Sequence, residues 1–164
     1  MIFVTLGTQD KQFLRLMEAV NEIETDEPII AQVGSTKCLK LKLRSNIKIY
    51  DYLPDYQFDK YLSEARVVIT HAGVGTIIKG LKLGKKMIVA ARLKKYKEHV
   101  NDHQLQILDA FSREKYIIPL ENFDDLPKLI NIDFTPKKFK SNNKEFNEQL
   151  ENAINSLIDK SMDA

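Results

Sequence analysis

The sequence predicts a Rossmann-like α/β fold, in which a mostly parallel sheet carries helices on both faces. Short runs rich in Val and Ile alternate with segments whose apolar residues recur at helical spacing. Strands that are apolar along their whole length are typical of parallel sheets, because helices cover both faces of such sheets. The 164 residues, 43% apolar and 29% charged, suit one globular domain over 1–164 and not a disordered chain.

The first half of the chain supplies three strands and two helices. Residues 2–6 are predicted as the first strand, residues 28–34 as the second, and residues 46–53 contain the third. Asp10 opens a helix, and a short helix follows Pro54. The first helix turns one apolar side towards the sheet: Phe13, Leu14, Leu16, Met17, Val20 and Ile23.

The second half repeats the alternation of strand and helix. The predicted strands cover residues 66–70, 86–91 and 115–120. The predicted helices cover residues 75–83, which Gly84 closes, residues 100–111, and residues 124–130. The helix over 100–111 is expected to bury Leu105, Leu108 and Phe111.

The C-terminal part of the chain differs in composition. Residues 131–143 are polar and rich in lysine, which predicts a loop or linker. A final helix is expected over about 144–160, with Phe146, Leu150, Ile154 and Leu157 on one side. This apolar stripe either packs on the sheet of its own domain or docks another chain, and the pattern alone does not decide between the two.

Charge and cysteine content exclude several classes of protein. No apolar run reaches the roughly 20 residues that span a bilayer, and the apolar start is read as a strand and not as a signal peptide. The one cysteine, Cys38, rules out an internal disulfide and fits a reducing cytoplasm. Net charge is only +2, but lysines cluster at 37–44, 94–97 and 137–140. These clusters are either solvated loops or a surface that faces anionic lipid or another polyanion.

Three loops are expected to meet at one rim of the sheet. Ligands of open parallel sheets bind outside the carboxyl ends of the strands. The loops that follow the first, fourth and fifth strands, at residues 7–8, 71–76 and 92–104, all lie at those ends. The ligand-binding residues of the protein are therefore expected in these three segments.

The segment THAGVGT, residues 70–76, combines two glycines with a hydroxyl between a strand and a helix. Gly73 and Gly75 allow a sharp turn, after which free helix amides attract anions such as phosphate. Thr76 either caps the helix or donates its hydroxyl to a phosphate oxygen. A plain strand-to-helix turn explains the same residues, and both interpretations stay open.

The segment KEHVNDHQ, residues 97–104, is densely polar and precedes an apolar helix. Asn101 or Asp102 could cap that helix. A cap does not need Glu98, His99 and His103 as well, so the group could instead hydrogen-bond a ligand rich in hydroxyls, such as a sugar. A solvated loop is the other interpretation. His71, His99 and His103 do not have the spacing of zinc ligands, and no second cysteine joins them.

Taken together, these motifs resemble the donor-binding half of a GT-B glycosyltransferase of the family 28 type. The resemblance runs from Met1 to about Leu120 and rests on VTLGTQ at 4–9, THAGVGTII at 70–78 and NDHQLQI at 101–107. It is strongest to small single-half proteins. These are subunits of bacterial capsule and exopolysaccharide transferases, whose partners are separate membrane-associated chains, and the catalytic subunit of the eukaryotic dolichol-linked N-acetylglucosaminyltransferase.

The resemblance implies an inverting transfer from a UDP-sugar donor. It assigns the diphosphate to one loop and the sugar to another, while His71 packs at the loop base or reaches the ligand. The diphosphate contacts are Gly7, Thr8, Gly73, Val74, Gly75 and Thr76. The sugar contacts are Asn101, Asp102, His103 and Gln104. No Asp-x-Asp motif occurs, so neither a metal nor a cofactor is expected, and the catalytic base is not identified.

Lys79 departs from the family pattern. A related transferase places a glutamate at the aligned position to hold the ribose, and a cation cannot accept hydrogen bonds from ribose hydroxyls. Lys79 instead faces phosphate or solvent.

Three functions follow from the sequence. The first is the catalytic, UDP-sugar-binding subunit of a two-chain transferase for capsule or exopolysaccharide, in the cytoplasm. A membrane-anchored acceptor half brings it to the inner face of the membrane, where it extends a polyprenyl-linked saccharide. The second is a non-catalytic enhancer of a partner transferase, and the third is an unrelated nucleotide-binding module. No interaction with nucleic acid is expected. The sugar stays open, with galactose favoured over N-acetylglucosamine and glucuronate.

Overall fold

A six-stranded parallel sheet forms the centre of the molecule. The computed structural model describes residues 1–140 and 148–152. The strands, in chain order, are β1 (Ile2–Thr5), β2 (Ile29–Gln32), β3 (Ile47–Tyr50), β4 (Val67–His71), β5 (Lys86–Ala90) and β6 (Ile118–Pro119). They lie side by side in the order β3-β2-β1-β4-β5-β6 and every pairing is parallel. The predicted fold class is confirmed.

Residues 1–140 contain five α-helices, of which four lie between strands and the fifth follows β6. They are α1 (Leu14–Asn21), α2 (Asp55–Glu64), α3 (Val74–Lys82), α4 (His103–Arg113) and α5 (Leu126–Leu129), with short 3₁₀ turns at Lys94–Tyr96 and Phe123–Asp125. The structure therefore contains every strand and helix expected between residues 2 and 130, with small differences at their ends.

The sheet separates two apolar cores, because successive side chains of a strand point to opposite faces. Ile2, Val4 and Leu6 face the core that α1 and α5 cover. Phe3 faces the other core, beneath α2, α3 and α4, where its ring meets Phe58 edge to face at 5.2 Å. With both faces covered, the central strands β1 and β4 are buried over their whole length, which is why their sequences are continuous apolar runs.

The chain reverses its direction of travel across the sheet between β1 and β4. From β1 it proceeds outward to β2 and β3, and it then returns to place β4 on the other side of β1. The loops that leave β1 and β4 therefore diverge to opposite faces and leave a crevice between them at the carboxyl ends of the strands. Ligands of open α/β sheets bind at such switch points.

Two helix starts and one buried face were predicted wrongly. Helix α1 begins at Leu14 and not after Asp10, and α4 begins at His103 and not at residue 100. Leu105 was expected inside but is 45% exposed. The stripe that α4 buries is Gln104, Leu108 and Phe111, at i, i+4 and i+7, so a polar residue occupies the inward position beside Leu105.

The segment after α5 packs on the domain as far as it is described. Residues 131–140 form no helix or strand, but Phe134 and Phe139 pack against the two cores. Residues 148–152 are helical, and Leu150 packs against the core beneath α2, α3 and α4. The rest of the predicted C-terminal helix, with Phe146, Ile154 and Leu157, lies outside the described residues. Within them, no helix is long and apolar enough to cross a membrane.

Candidate functional site

A cavity of about 500 Å³ lies at the switch point, at the carboxyl ends of β1 and β4. Its floor includes Thr5 and Gln32, which are direct neighbours in the register of β1 and β2. One wall is the loop after β1, and the opposite wall is the start of α3. The lining residues are Thr5, Gly7, Thr8, Gln9, Gln32, Tyr52, Leu53, Asp55, Phe58, His71, Gly75, Thr76 and Lys79.

The N-terminal turn of α3 faces this cavity. Gly73 is the residue that precedes the helix, and no side chain caps it. The amides of Val74, Gly75 and Thr76 have no carbonyl acceptor inside the helix, because the first residues of any α-helix lack one. Thr76 lies in the first turn of the helix and lines the cavity, so it is not the cap. Free amides and the positive end of the helix dipole make this turn suited to an anion.

Gly75 leaves the cavity open at this turn. A Cβ atom added at Gly75 would meet no heavy atom within 4 Å. The first atom of a side chain at this position would therefore enter space that the rest of the folded protein does not use.

Gly73 and Gly7 have a different role, because both make room for the ring of His71. A Cβ atom at Gly73 would lie 2.3 Å from Cε1 of His71, and one at Gly7 would lie 2.4 Å from its Nε2. Gly7 also has φ +81°, a conformation that other residues rarely adopt. The imidazole is thus held between the loops that follow β1 and β4.

His71 is a neutral imidazole at the edge of the cavity. Its side chain is buried, and burial lowers its pKa to about 4, helped by the nearby charge of Arg92. On its inner side, Nε2 of Gln104 lies 3.2 Å from Nδ1 of His71. Neutral imidazole has one donor nitrogen and one acceptor nitrogen, so the ring can offer a single N–H to a ligand.

The residues expected to hold a sugar are mostly engaged inside the protein. Gln104 is buried, and its Oε1 accepts a hydrogen bond of 3.0 Å from the backbone N–H of Arg92. Oδ1 of Asp102 accepts from the N–H of Lys94 at 2.8 Å, and Oδ1 of Asn101 accepts from the N–H of His103 at 3.1 Å. Asn101 thereby satisfies an amide at the start of α4. None of the four residues lines the cavity, and their role in sugar binding stays a prediction.

A buried ionic network behind these residues was not predicted. Glu98 is 4% exposed and accepts two hydrogen bonds from Arg15, at 2.9 and 2.8 Å, and one from the N–H of Leu93 at 2.9 Å. Arg92, also buried, donates to the carbonyls of Leu6 at 2.5 Å and Lys11 at 2.9 Å. The segment after β5 is therefore tied to the loop after β1, which forms one wall of the cavity.

Lys79 lines the cavity and forms an ion pair with Asp59 of α2. Its Nζ also lies 5.6 Å from the centre of the Phe58 ring. Both charged side chains are about half exposed. The pair joins α2 to α3 along one side of the cavity, a third arrangement beside the two that the sequence offered, phosphate or solvent.

The described part of the chain holds no group of three His, Cys, Asp or Glu side chains that could bind a metal ion. The positive character of the site comes instead from the N-terminus of α3 and from Lys79.

One known protein family matches this chain. The profile described as "Glycosyltransferase family 28 C-terminal domain" matches residues 1–160. The chain belongs to this family.

One relative of this family 28 domain is the UDP-N-acetylglucosamine transferase subunit ALG13 of Candida albicans (strain SC5314 / ATCC MYA-2876). The two are 28% identical over 136 residues, which are 83% of this chain but 42% of the relative. The chain thus spans less than half the length of this relative.

Solved structures show the same fold. The chain superposes on an NMR solution structure of ALG13 with a TM-score of 0.57 and 20% identity, covering 91% of this chain and 94% of that one. The glycotransferase of kitacinnamycin gives a TM-score of 0.60 at 22% identity, over 79% of this chain and 33% of that one. CalG4, the calicheamicin glycosyltransferase, gives 0.58 at 15% identity, over 94% and 38%. The family 28 domain is thus a Rossmann-like GT-B half.

Proposed function

We propose that this chain is the UDP-sugar-binding, catalytic subunit of a two-component inverting glycosyltransferase. The observation that carries the proposal is the cavity at the β1–β4 switch point, which the first turn of α3 and the ring of His71 both line. Membership of the family 28 domain supports it. So does a relative that is named as a UDP-N-acetylglucosamine transferase subunit.

The diphosphate of the donor binds at the start of α3. The amides of Val74, Gly75 and Thr76 and the N–H of His71 donate to it, while Gly7 and Thr8 approach from the loop after β1. In the transfer, the bond between the sugar and the diphosphate breaks and negative charge grows on the leaving diphosphate. Fixed amides stabilise that charge without reorganising. No metal or cofactor is part of the proposal.

The donor sugar lies towards the start of α4. Within the described residues, the side chain of His103 takes part in no hydrogen bond of the protein, so in this group it is the side chain best able to bind a ligand. Galactose remains the favoured sugar of the proposal. N-acetylglucosamine is the alternative that the name of the Candida relative suggests.

The acceptor half is a separate chain. A GT-B enzyme works in a cleft between two Rossmann-like halves, and the described residues form one such sheet. We propose a membrane-anchored partner that holds a polyprenyl-linked saccharide and supplies the catalytic base. The reaction would serve capsule or exopolysaccharide synthesis. In this proposal the chain is cytoplasmic, and the partner recruits it to the inner face of the membrane.

Substitution of Gly75 by Asp tests the donor site. The new carboxylate enters open space at the start of α3, so the fold is retained, and UDP affinity falls by about 2 kcal/mol or more because like charges repel in a shielded site. Gln106→Asp is the matched control, since it adds the same charge at an exposed position of α4 that does not line the cavity. Calorimetry with UDP measures both, and wild-type affinity in Gly75→Asp would exclude this diphosphate site.

A transfer assay tests the need for a partner. The purified chain, given UDP-galactose or UDP-N-acetylglucosamine and a polyprenyl-diphosphate saccharide, should transfer no sugar by itself. Addition of membranes from cells that express the acceptor half should produce transfer. Robust turnover by the isolated chain would refute the two-component proposal.

A second candidate is a non-catalytic enhancer that stabilises a partner transferase. The observation that favours it is the Lys79–Asp59 pair, which stands where a ribose acceptor is expected from the family resemblance. An enhancer need not bind the donor, so absence of UDP and UDP-sugar binding by calorimetry, together with retained stimulation of the partner, would select it.

A further inference from the structure

The side-chain amide of Gln104 lies between one backbone group and the ring of His71. Its Oε1 accepts a hydrogen bond from the backbone N–H of Arg92 at 3.0 Å, and its Nε2 lies 3.2 Å from Nδ1 of His71. The N–H of Arg92 can only donate, so this contact requires the oxygen of the amide to face Arg92. The amide nitrogen of Gln104 must then face His71.

That orientation determines the state of the imidazole. An amide nitrogen only donates hydrogen bonds, so Nδ1 of His71 must accept and carries no proton. A neutral ring then has its proton on Nε2. Nε2 lies in the gap between Gly7 and Gly73, where either glycine would contact it if it had a Cβ atom, and the ring lines the cavity.

We propose that Gln104 is a positioning residue that fixes His71 as the Nε2–H tautomer, so that the ring presents a neutral hydrogen-bond donor to an anionic group in the cavity. The proposed function supplies the identity of that anion, the diphosphate of a UDP-sugar. The state of the ring in the free protein follows from the contacts of Gln104 alone. Gln104 thus serves the diphosphate side of the site through His71.

The surroundings keep the ring neutral. Arg92 and His99 are the titratable groups whose charges lower the pKa of His71, and burial contributes most, so the pKa lies at about 4. The other charged residues that line the same cavity are Asp55 and Lys79. A donor that does not titrate between about pH 5.5 and about pH 8.5 binds a fully ionised diphosphate equally well throughout that range.

Nitrogen NMR of the free wild-type protein tests the tautomer directly. With ¹⁵N-labelled histidine, His71, assigned by its loss in His71→Gln, should show a protonated Nε2 and an unprotonated Nδ1 at neutral pH. A protonated Nδ1 in the wild-type protein would overturn the proposal. This reading needs no ligand, so it stands even if the chain binds no UDP-sugar and the proposed function fails.

Gln104→Glu tests the positioning role, because the two side chains have nearly the same shape. A carboxylate can still accept from the N–H of Arg92, but it cannot donate to Nδ1 while ionised. The proton of His71 should therefore move to Nδ1, and the pKa of the ring should rise. At high pH, Nε2 of the variant then carries a lone pair, which repels the negative oxygens of the diphosphate. At low pH the ring becomes an imidazolium, and Nε2 again carries a proton that it can donate.

The readout is the affinity for UDP-galactose and UDP-N-acetylglucosamine, whose diphosphates do not titrate in this range. Relative to the wild type, which shares every other group of the site, the affinity of Gln104→Glu should fall about tenfold as pH rises from about 5.5 to about 8.5, the usual value of a hydrogen bond to a charged group. Gln104→Leu, which neither donates nor accepts, should weaken binding without the pH slope. If Gln104→Glu keeps the Nε2–H tautomer by NMR, or if its affinity relative to the wild type does not change with pH, Gln104 does not position His71.

Discussion

The loops after β4 and β5 both follow buried parallel strands and both are rich in polar residues, yet they use these residues differently. The β4 loop (residues 71–76) leaves the first amides of α3 and a glycine surface open to a cavity of about 500 Å³. The β5 segment (residues 92–104) directs Arg92, Glu98 and Gln104 to partners inside the protein. The β4 loop thus borders open space, and in the proposed function it binds the diphosphate, whereas the three named side chains of the β5 segment support it from inside the protein.

The support acts across the sheet. Arg92 holds the carbonyl of Leu6, directly before Gly7, and Gln104 holds His71 at the end of β4. A substitution in the β5 segment should thus lower stability first, and one in the β4 loop should change ligand affinity first.

Removal of Glu98 should have the largest effect on stability. Glu98→Ala removes a buried carboxylate that accepts from Leu93 N–H and from Arg15, which keeps only the carbonyl of Ala91, so the free energy of unfolding should fall by about 3–4 kcal/mol. Asp109→Ala is the control, because its pair with Arg113 is exposed and is worth about 0.5 kcal/mol or less. Urea unfolding measures both. Equal losses in the two variants would show that the β5 segment is not a support.

Protonation of His71 in acid should also lower the free energy of unfolding, by slightly less than Glu98→Ala does. The unfolded chain binds a proton at His71 near pH 6.5, whereas the folded pKa is about 4, so the stabilising contribution is complete above 6.5 and declines as pH falls towards 4. The full shift corresponds to about 3 kcal/mol.

His71→Gln should lose this slope between about pH 6.5 and about pH 4.5 and keep the separate loss at lower pH that Glu27 causes. Arg66 and the terminal amine hold the pKa of Glu27 at about 2, so its contribution is lost only below its ordinary value of 4.5. Urea unfolding at several pH values gives both slopes. An unchanged slope in His71→Gln would mean that another group titrates there.

The two glycines of the β4 loop should respond differently to the same change. Gly73→Ala places a Cβ atom 2.3 Å from the His71 ring, which Gln104 holds in place, so unfolding should become easier by about 2 kcal/mol. Gly75→Ala meets no atom and lies inside a helix, so stability should stay equal or rise by up to about 1 kcal/mol. Thermal and urea unfolding of the pair checks this, and equal costs would contradict the packing described for His71.

The sequence predicted the sheet well because a buried parallel strand has a simple signature. The runs at β1, β4 and β5 are apolar on both faces. The rule that ligands bind at the carboxyl ends of parallel strands also directed attention to the β4 loop, which lines the cavity. The same rule applied to β3 would have brought Tyr52, Leu53 and Phe58 to the cavity, which they line. The residues after β3 look like a helix start, and no glycine marks them.

The internal role of the β5 segment could not be predicted from the sequence. Arg92 is a single cation after a strand, and its partners Leu6 and Lys11 lie more than eighty residues away in the chain. Gln104 takes the inward position of α4 because it bonds to Arg92 and His71, whereas apolar periodicity favoured Leu105. Hydrogen-bond partners set the direction of these side chains, and a one-dimensional pattern holds no information about partners.

Substitutions at the Lys79–Asp59 pair should have the smallest effect on UDP affinity, and they test how far the binding surface extends along α3. The ammonium of Lys79 can serve either Asp59 or an anion in the cavity, because Lys79 lines the cavity while the pair with Asp59 is half exposed. Asp59→Ala frees the cation, so UDP affinity should rise by about 0.5 kcal/mol at low salt and lose this gain as salt screens the charge. Lys79→Ala should lower UDP affinity by a similar amount.

Both variants should unfold within about 0.5 kcal/mol of the wild type, because an exposed pair contributes little. A tenfold loss of UDP affinity in Lys79→Ala would instead place Lys79 in direct contact with the diphosphate, and the binding surface would then extend from the β4 loop along α3.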